Sequence, residues 1–251
     1  MTDRQGNGPA SGRRFGRWAL KDLDERGEGR ARDLRRHALA VGALSLGLAA
    51  GLEAVQVLAT ILTGSPYGAG PGLRDLILKL PWALLVCMGL WLGIVVGRGR
   101  PAVTGLVGLI VAPLASLGAR ATAEAAHGLT FAANVAEAPS PLAVAGLKGL
   151  EYACLGLAVT WLRERRWARA PHHAAAGLCA GLVFGGGFLT LTAAVQPLTP
   201  VVLVGRLVNE LLFPVGCALI LFRVEGRARG TRPLSGGRQS TQVEAADQPR
   251  G

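Results

Sequence analysis

Six runs of mostly apolar residues, roughly 37–63, 75–96, 102–126, 141–162, 173–195 and 201–222, are separated by short polar links and bracketed by polar tails. A bilayer-spanning helix needs ~20 such residues, because each advances ~1.5 Å across a ~30 Å hydrocarbon core. Every run reaches that length. Backbone polar groups in lipid must be satisfied within the segment, which makes each run a helix, and the two-residue alternation of a membrane barrel is absent. A soluble reading would need six unusually apolar core helices in succession. The pattern therefore predicts an all-α, polytopic transmembrane helix bundle with six spans.

Composition agrees and charge adds an orientation. Of the 251 residues, 50% are hydrophobic and 17% charged, against about 25% charged in an ordinary soluble domain. The formal charge is +11, and the pI of 10.9 would by itself suggest a nucleic-acid binder. The positions of the basic residues favour another explanation. Of 27 Lys and Arg, 22 fall in residues 1–36, the link with Arg98 and Arg100, the link from Arg163 to Arg169, and the tail from Arg223. The intervening links are nearly free of positive charge: 64–74 has only Arg74, and 127–140 and 196–200 have none. The positive-inside rule then puts both termini in the cytoplasm, in a plasma membrane of bacterial inner-membrane type, and no nucleic-acid partner is expected.

Three segments follow: a basic tail at 1–36, a six-helix domain at 37–222 and a second tail at 223–251. No signal peptide is expected, so the first span should remain as an uncleaved anchor. The tails are rich in Gly, Arg and acids, which predicts disorder at 1–13 and from about 226 onward. Phe15, Trp18, Leu20 and Leu23, set among Arg17 and Lys21, suit a short interfacial helix over 15–25. Cys87, Cys154, Cys179 and Cys217 all lie inside spans without a C-x-x-C pair, and read as small buried hydrophobes.

Lipid gives no hydrophobic drive between helices, so close packing and polar contacts must hold the bundle. Gly177, Gly181 and Gly185 put a smooth groove down the fifth span, and Ala43, Gly47 and Gly51 do so in the first. Both stripes are expected to seat neighbouring helices, a homodimer seam being the sharper alternative. Pro81, Pro113 and Pro214 each remove a helix hydrogen bond, and Pro214 frees the carbonyl of Glu210. Leu78-Lys79 and Leu147-Lys148 open the second and fourth spans alike, which suggests that spans 2–3 and 4–5 repeat one unit.

The most informative feature is ionic. Ionisable groups at membrane depth cost ~2.5–3.5 kcal/mol or more each and call for a reason. Counting ~1.5 Å per residue puts Glu53, Arg120, Lys148, Glu151, Arg206 and Glu210 in the middle or outer half of the bilayer, with Lys79 and Glu124 at the outer rim. Arg120 and Glu124, and Arg206 and Glu210, are one turn apart; Lys148 and Glu151 are at i, i+3. A charge-balanced layer built from spans 1, 3, 4 and 6 is expected. Structural glue between helices is one reading of it. The other is a solute or ion pocket lined by Lys148, Glu151, Arg206, Asn209 and Glu210.

Catalytic motifs are missing: H-E-x-x-H, G-x-S-x-G, a P-loop and a nucleotide-binding G-x-G-x-x-G do not occur. His172-His173 fit an interfacial position better than a metal site, and no metal or cofactor is expected. The stretch 147–222, with LKGLEYACLG, a Gly-rich helix ending in GGGF and then FPVGCALIL, resembles in outline the glutamate-type intramembrane proteases of the PrsW group. That resemblance implies a Glu-Glu-x-x-Lys element with further Glu and His. Here Glu151 has no second Glu, the Gly-rich helix has Thr190 and Thr192 but no acid, and Cys217 stands where a His would. A relative would have lost its catalytic set. The G-L-x-G-L runs also look like the six-helix substrate-binding subunits of vitamin importers.

The expectation is a non-enzymatic component of small-solute transport, with its pocket in the outer half. The alternatives are a scaffold or assembly factor working through glycine contacts, and a hydrolase using Glu151 and Glu210. The chain has no ATP-binding element, so energy would come from an ion gradient or from a partner docked at Arg163–Arg169.

Overall fold

A computed structural model describes residues 12–62, 69–129, 140–195, 197 and 200–230. Among them there are helices and turns and no strands. The helices are α1 (Gly12–Leu62), α2 (Ala69–Val96), α3 (Pro101–Leu129), α4 (Pro141–Arg163), α5 (Ala170–Ala180), α6 (Gly186–Ala193) and α7 (Pro200–Gly230). A five-residue π turn, Gly181–Gly185, joins α5 to α6, so the two act as one rod. Among the described residues, six segments are long and apolar enough to cross a membrane: 31–62, 75–96, 101–119, 141–163, 170–193 and 202–224. These match the six apolar runs, and the chain has the form of a multi-pass membrane protein.

The bundle is apolar outside as well as inside. Leu39, Leu62, Val96, Leu106, Leu114, Leu142 and Val183 are exposed on the outside of the bundle, where lipid suits them. The interior is narrow: Val41, Val86, Leu90, Leu155, Val159, Phe213, Leu221 and Val224, from α1, α2, α4 and α7. The rods form a ring in chain order, with α7 returning against α1 and touching α4 across the centre. Sharp turns suit this arrangement. Between α2 and α3 the chain reverses through Arg98 and Gly99, at φ 50° and 81°, a conformation that glycine adopts without Cβ strain, and Pro101 then starts α3.

Glycine sets how near the rods come. A Cβ on Gly177 would lie 2.6 Å from the Pro214 carbonyl oxygen, one on Gly181 2.6 Å from the Glu210 carbonyl oxygen, and one on Gly185 2.7 Å from Glu210 Cβ. The stripe thus receives α7 at its proline. The α1 stripe does otherwise: Gly47 and Gly51 meet nothing within 4 Å, and Ala43 is exposed with them. That face looks outward, because α1 presents Val41, Ser45, Ala49 and Leu52 to the core instead. A second contact was not anticipated. α3 and α4 meet backbone to backbone, with Gly149 against Leu109 and Pro113, Gly156 against Thr104, and Gly105 against Leu157.

Two further expectations need correction. Cys87 and Cys217 are buried with their Sγ atoms 2.8 Å apart, but Cys154 and Cys179 are exposed, since they fall on the outward faces of α4 and α5. The segment 15–25 is helical, yet as part of the unbroken α1 rather than a separate short helix. The helices extend into the expected tails, to Gly12 at one end and Gly230 at the other; residues 1–11 and 231–251 lie outside the described residues. At the end carrying the Arg163–Arg169 link, Trp161, Trp167 and His172 stack at 6.2 and 5.0 Å, with Arg165 over Trp161 at 4.6 Å. Aromatic and Arg side chains grouped this way are usual at a membrane–water boundary.

These contacts predict opposite outcomes for two glycine substitutions. Gly181→Leu drives a side chain into the α7 backbone and should lower stability by about 1–3 kcal/mol or more, whereas Gly47→Leu should leave folding unchanged. Thermal unfolding of both variants in detergent checks this.

Candidate functional site

The last turns of α1, the first turns of α2, α4 and α7, the latter part of α3 and the start of α6 converge at one end of the ring, here called the upper end. A cavity of about 480 Å³ lies there. Its polar lining is Gln56, Asp75, Lys79, Ser116, Lys148, Arg206, Asn209 and Glu210, and its aromatic walls are Trp82, Tyr152, Phe188 and Phe213. Trp82, Tyr152 and Phe213 form a closed trio with ring centroids 6.1–6.3 Å apart, a spacing at which edge-to-face contacts are favourable. Helix periodicity puts these rings there: Tyr152 is one turn beyond Lys148, Phe213 is one turn beyond Asn209, and Trp82 is one turn beyond Lys79 and Leu78.

Lys148 is the hub. Its Nζ donates to Glu151 Oε2 at 2.8 Å, and to Glu210 Oε2 on the facing helix. All three side chains are almost wholly buried. Glu151 Oε1 has no hydrogen-bond partner among the described residues, so Lys148 is the group that answers its charge. The i, i+3 pair on α4 read from sequence is therefore present, and it has a third member. Arg206 and Glu210 do not make the expected i, i+4 ion pair, because Glu210 turns to Lys148. Arg206 Nη1 donates to Thr192 Oγ1 at 3.0 Å. Both Arg206 and Lys148 sit 5.6 Å from the ring centroid of Phe188, which stands between them as a shared cation–π partner.

A second ionic group sits beside the first. Lys79 Nζ donates to Glu53 Oε2 at 2.5 Å and to Gln56 Oε1, while Gln56 Nε2 donates to the Gly205 carbonyl at 2.6 Å, tying α1 and α2 to α7. The ion-paired side chains and Arg206 are thus contributed by spans 1, 2, 4 and 6 among the described residues, and span 2 corrects the expected set. Glu53 is brought into it. Arg120 and Glu124 were expected there from span 3, but their side chains lie outside the described residues. Asn209 faces the cavity, and Gly177, Gly181 and Gly185 act below it by admitting α7.

Sequence reasoning missed Gln56, Asp75, Trp82, Thr192 and Phe188 as participants, and read Lys79 as a rim charge outside the pocket. Gln56 had a signal: it follows Glu53 by three residues and shares its helix face. Phe188 and the aromatic trio had none, since which of many apolar residues face a cavity depends on helix rotation. Among the described residues no group of three or more His, Cys, Asp or Glu could hold a metal. His172 and His173 point apart, His172 stacking on Trp167 and His173 on Phe222 at 4.8 Å.

The arrangement predicts which charges the fold depends on. Lys148→Met leaves two carboxylates buried without their ammonium and should cost about 3–5 kcal/mol. Arg206→Gln removes one side-chain hydrogen bond, worth about 0.5–1.5 kcal/mol, and should fold. Equal losses of folded protein in the two variants would contradict the hub.

No protein-family model, curated protein or solved structure matches this chain.

Proposed function

We propose that this protein is a non-enzymatic component of small-solute transport in a bacterial-type plasma membrane, holding its solute in the upper-end cavity. The observation that carries this reading is the cavity's composition. A volume of about 480 Å³ falls in the ~300–1,000 Å³ range of small-molecule sites, and its mix of aromatic walls with a few convergent polar groups is the lining such sites have. Interhelical glue alone accounts for Lys79 and Lys148, whose carboxylate partners are buried with them, but among the described residues it assigns no such partner to Arg206.

By the positive-inside rule the upper end faces the extracytoplasmic side. Solute would enter from outside, and energy would come from an ion gradient or from a partner at the Arg163–Arg169 link. A scaffold role is the second reading, favoured by the open face of Ala43, Gly47 and Gly51 on α1. Gly47→Leu separates the two, since it should abolish a lateral partner contact and leave solute binding intact.

With the four native cysteines replaced by Ala, Ser116→Cys and Val144→Cys should react with a membrane-impermeant maleimide added outside intact cells. Ala218→Cys, fully buried in the core, should stay unlabelled. Failure of both cavity positions to react would overturn the solute-site reading and its orientation.

A further inference from the structure

We infer that the solute is a zwitterionic α-amino acid with a large apolar or aromatic side chain, an inference that rests on the solute-site reading above. It starts from how the charges around the cavity are satisfied. Lys79 is matched by Glu53, and Lys148 by Glu151 and Glu210 together. Arg206 alone of the three cavity cations has no carboxylate within ion-pair distance among the described residues; its hydrogen bond goes to a neutral hydroxyl, Thr192 Oγ1. A guanidinium carries five N–H donors in a planar fork that matches a carboxylate. Four of those donors remain for a ligand.

A bare anion is a poor fit even so. Two carboxylates share the one ammonium of Lys148, so that trio carries a surplus negative charge when both are ionised. Glu210 lies one helical turn from Arg206, about 5–6 Å between Cβ atoms, and lines the same cavity. A lone carboxylate held by Arg206 would therefore sit beside an acidic surplus in a partly desolvated site, where like charges repel strongly. A ligand that brings its own ammonium next to its carboxylate meets both needs, with the carboxylate on Arg206 and the ammonium toward Glu210. It also enters without changing the net charge of the site.

The remaining lining selects the side chain. Phe188 lies under Arg206, and the trio of Trp82, Tyr152 and Phe213 forms an apolar wall beyond Glu210. Aromatic or large aliphatic side chains bury well there, while a small side chain such as that of alanine would leave the wall wetted.

The test uses the cysteine-free full-length protein with Ser116→Cys, reconstituted in nanodiscs and labelled with maleimide. The ligands compared are L-phenylalanine, L-tryptophan, L-alanine, 3-phenylpropionate, which lacks the ammonium, and phenethylamine, which lacks the carboxylate. Phenylalanine or tryptophan should protect the introduced thiol at concentrations about ten- to hundredfold below those needed for either truncated analogue, as expected for losing one charge-assisted contact. Alanine should protect poorly. Adding Arg206→Gln should erase the advantage of phenylalanine over phenethylamine while labelling without ligand persists.

Protection by 3-phenylpropionate equal to that by phenylalanine overturns the zwitterion and leaves a solute site. Labelling that no compound slows overturns the amino-acid class. No labelling in the first place removes the solute site itself, which distinguishes that failure from the other two.

Discussion

One ammonium answering two carboxylates from different helices is the constraint on which the upper end of this protein turns. Lys148 and Glu151 belong to α4 and Glu210 to α7, so their contact draws the two rods together across the ring. In lipid no hydrophobic force would do this, and the polar contact has to. The same contact decides what is left over. By engaging Glu210 it denies Arg206 the partner that helix spacing would otherwise supply, and Arg206 turns toward Thr192 and Phe188 at the cavity wall.

Such a contact requires the helices to come close at a defined depth, and glycine makes that approach available. Gly181 and Gly185 face Glu210 itself, its carbonyl and its Cβ. The carbonyl in question is the one whose helix hydrogen-bond donor is missing because residue 214 is proline. Proline and the glycine stripe thus act at one place: the first opens the backbone of α7 beside Glu210, and the second gives that backbone room. The π turn Gly181–Gly185 falls on the same segment, and π turns are frequent at functional sites. On the other side of α4, Gly149 and Gly156 fix its distance from α3, so the helix that bears Lys148 is held from both flanks.

The sequence made the fold legible because the membrane imposes one secondary structure on every apolar run, and run length alone then counts the spans. Depth was legible for the same reason. A helix rises by a fixed step per residue, so Glu53, Lys148, Glu151, Arg206 and Glu210 could be placed at one level before any contact was known. Rotation was not. Whether Glu210 meets Arg206 on its own helix or Lys148 on another depends on how α7 is turned, and no periodicity in α7 separates the two. Similar apolar residues cover all of its faces. Span 2 was overlooked because Lys79 looked like a rim charge, and its inward partner, Glu53, lies on a different helix. The outward stripe of α1 shows the same limit, since small residues every fourth position mark a face without saying what lies against it.

A guanidinium with no carboxylate in ion-pair contact among the described residues is costly at membrane depth, and a structure built only for stability would have little reason to keep one. Replacing a paired buried charge by an apolar group is often neutral or favourable, so an Arg without an ion pair among the described residues adds little to stability. Its position argues the other way. Arg206 stands at the edge of the cavity, half-buried, held by one hydrogen bond on one side and an aromatic ring on the other. That support fixes the orientation of the fork without using most of its donors. Orientation without a direct ion pair is what a recognition site needs, because a donor already in use has to give up its contact before it can bind anything else. The buried trio beside it ties α4 to α7 and gives rigidity; Arg206 is engaged just enough to be aimed.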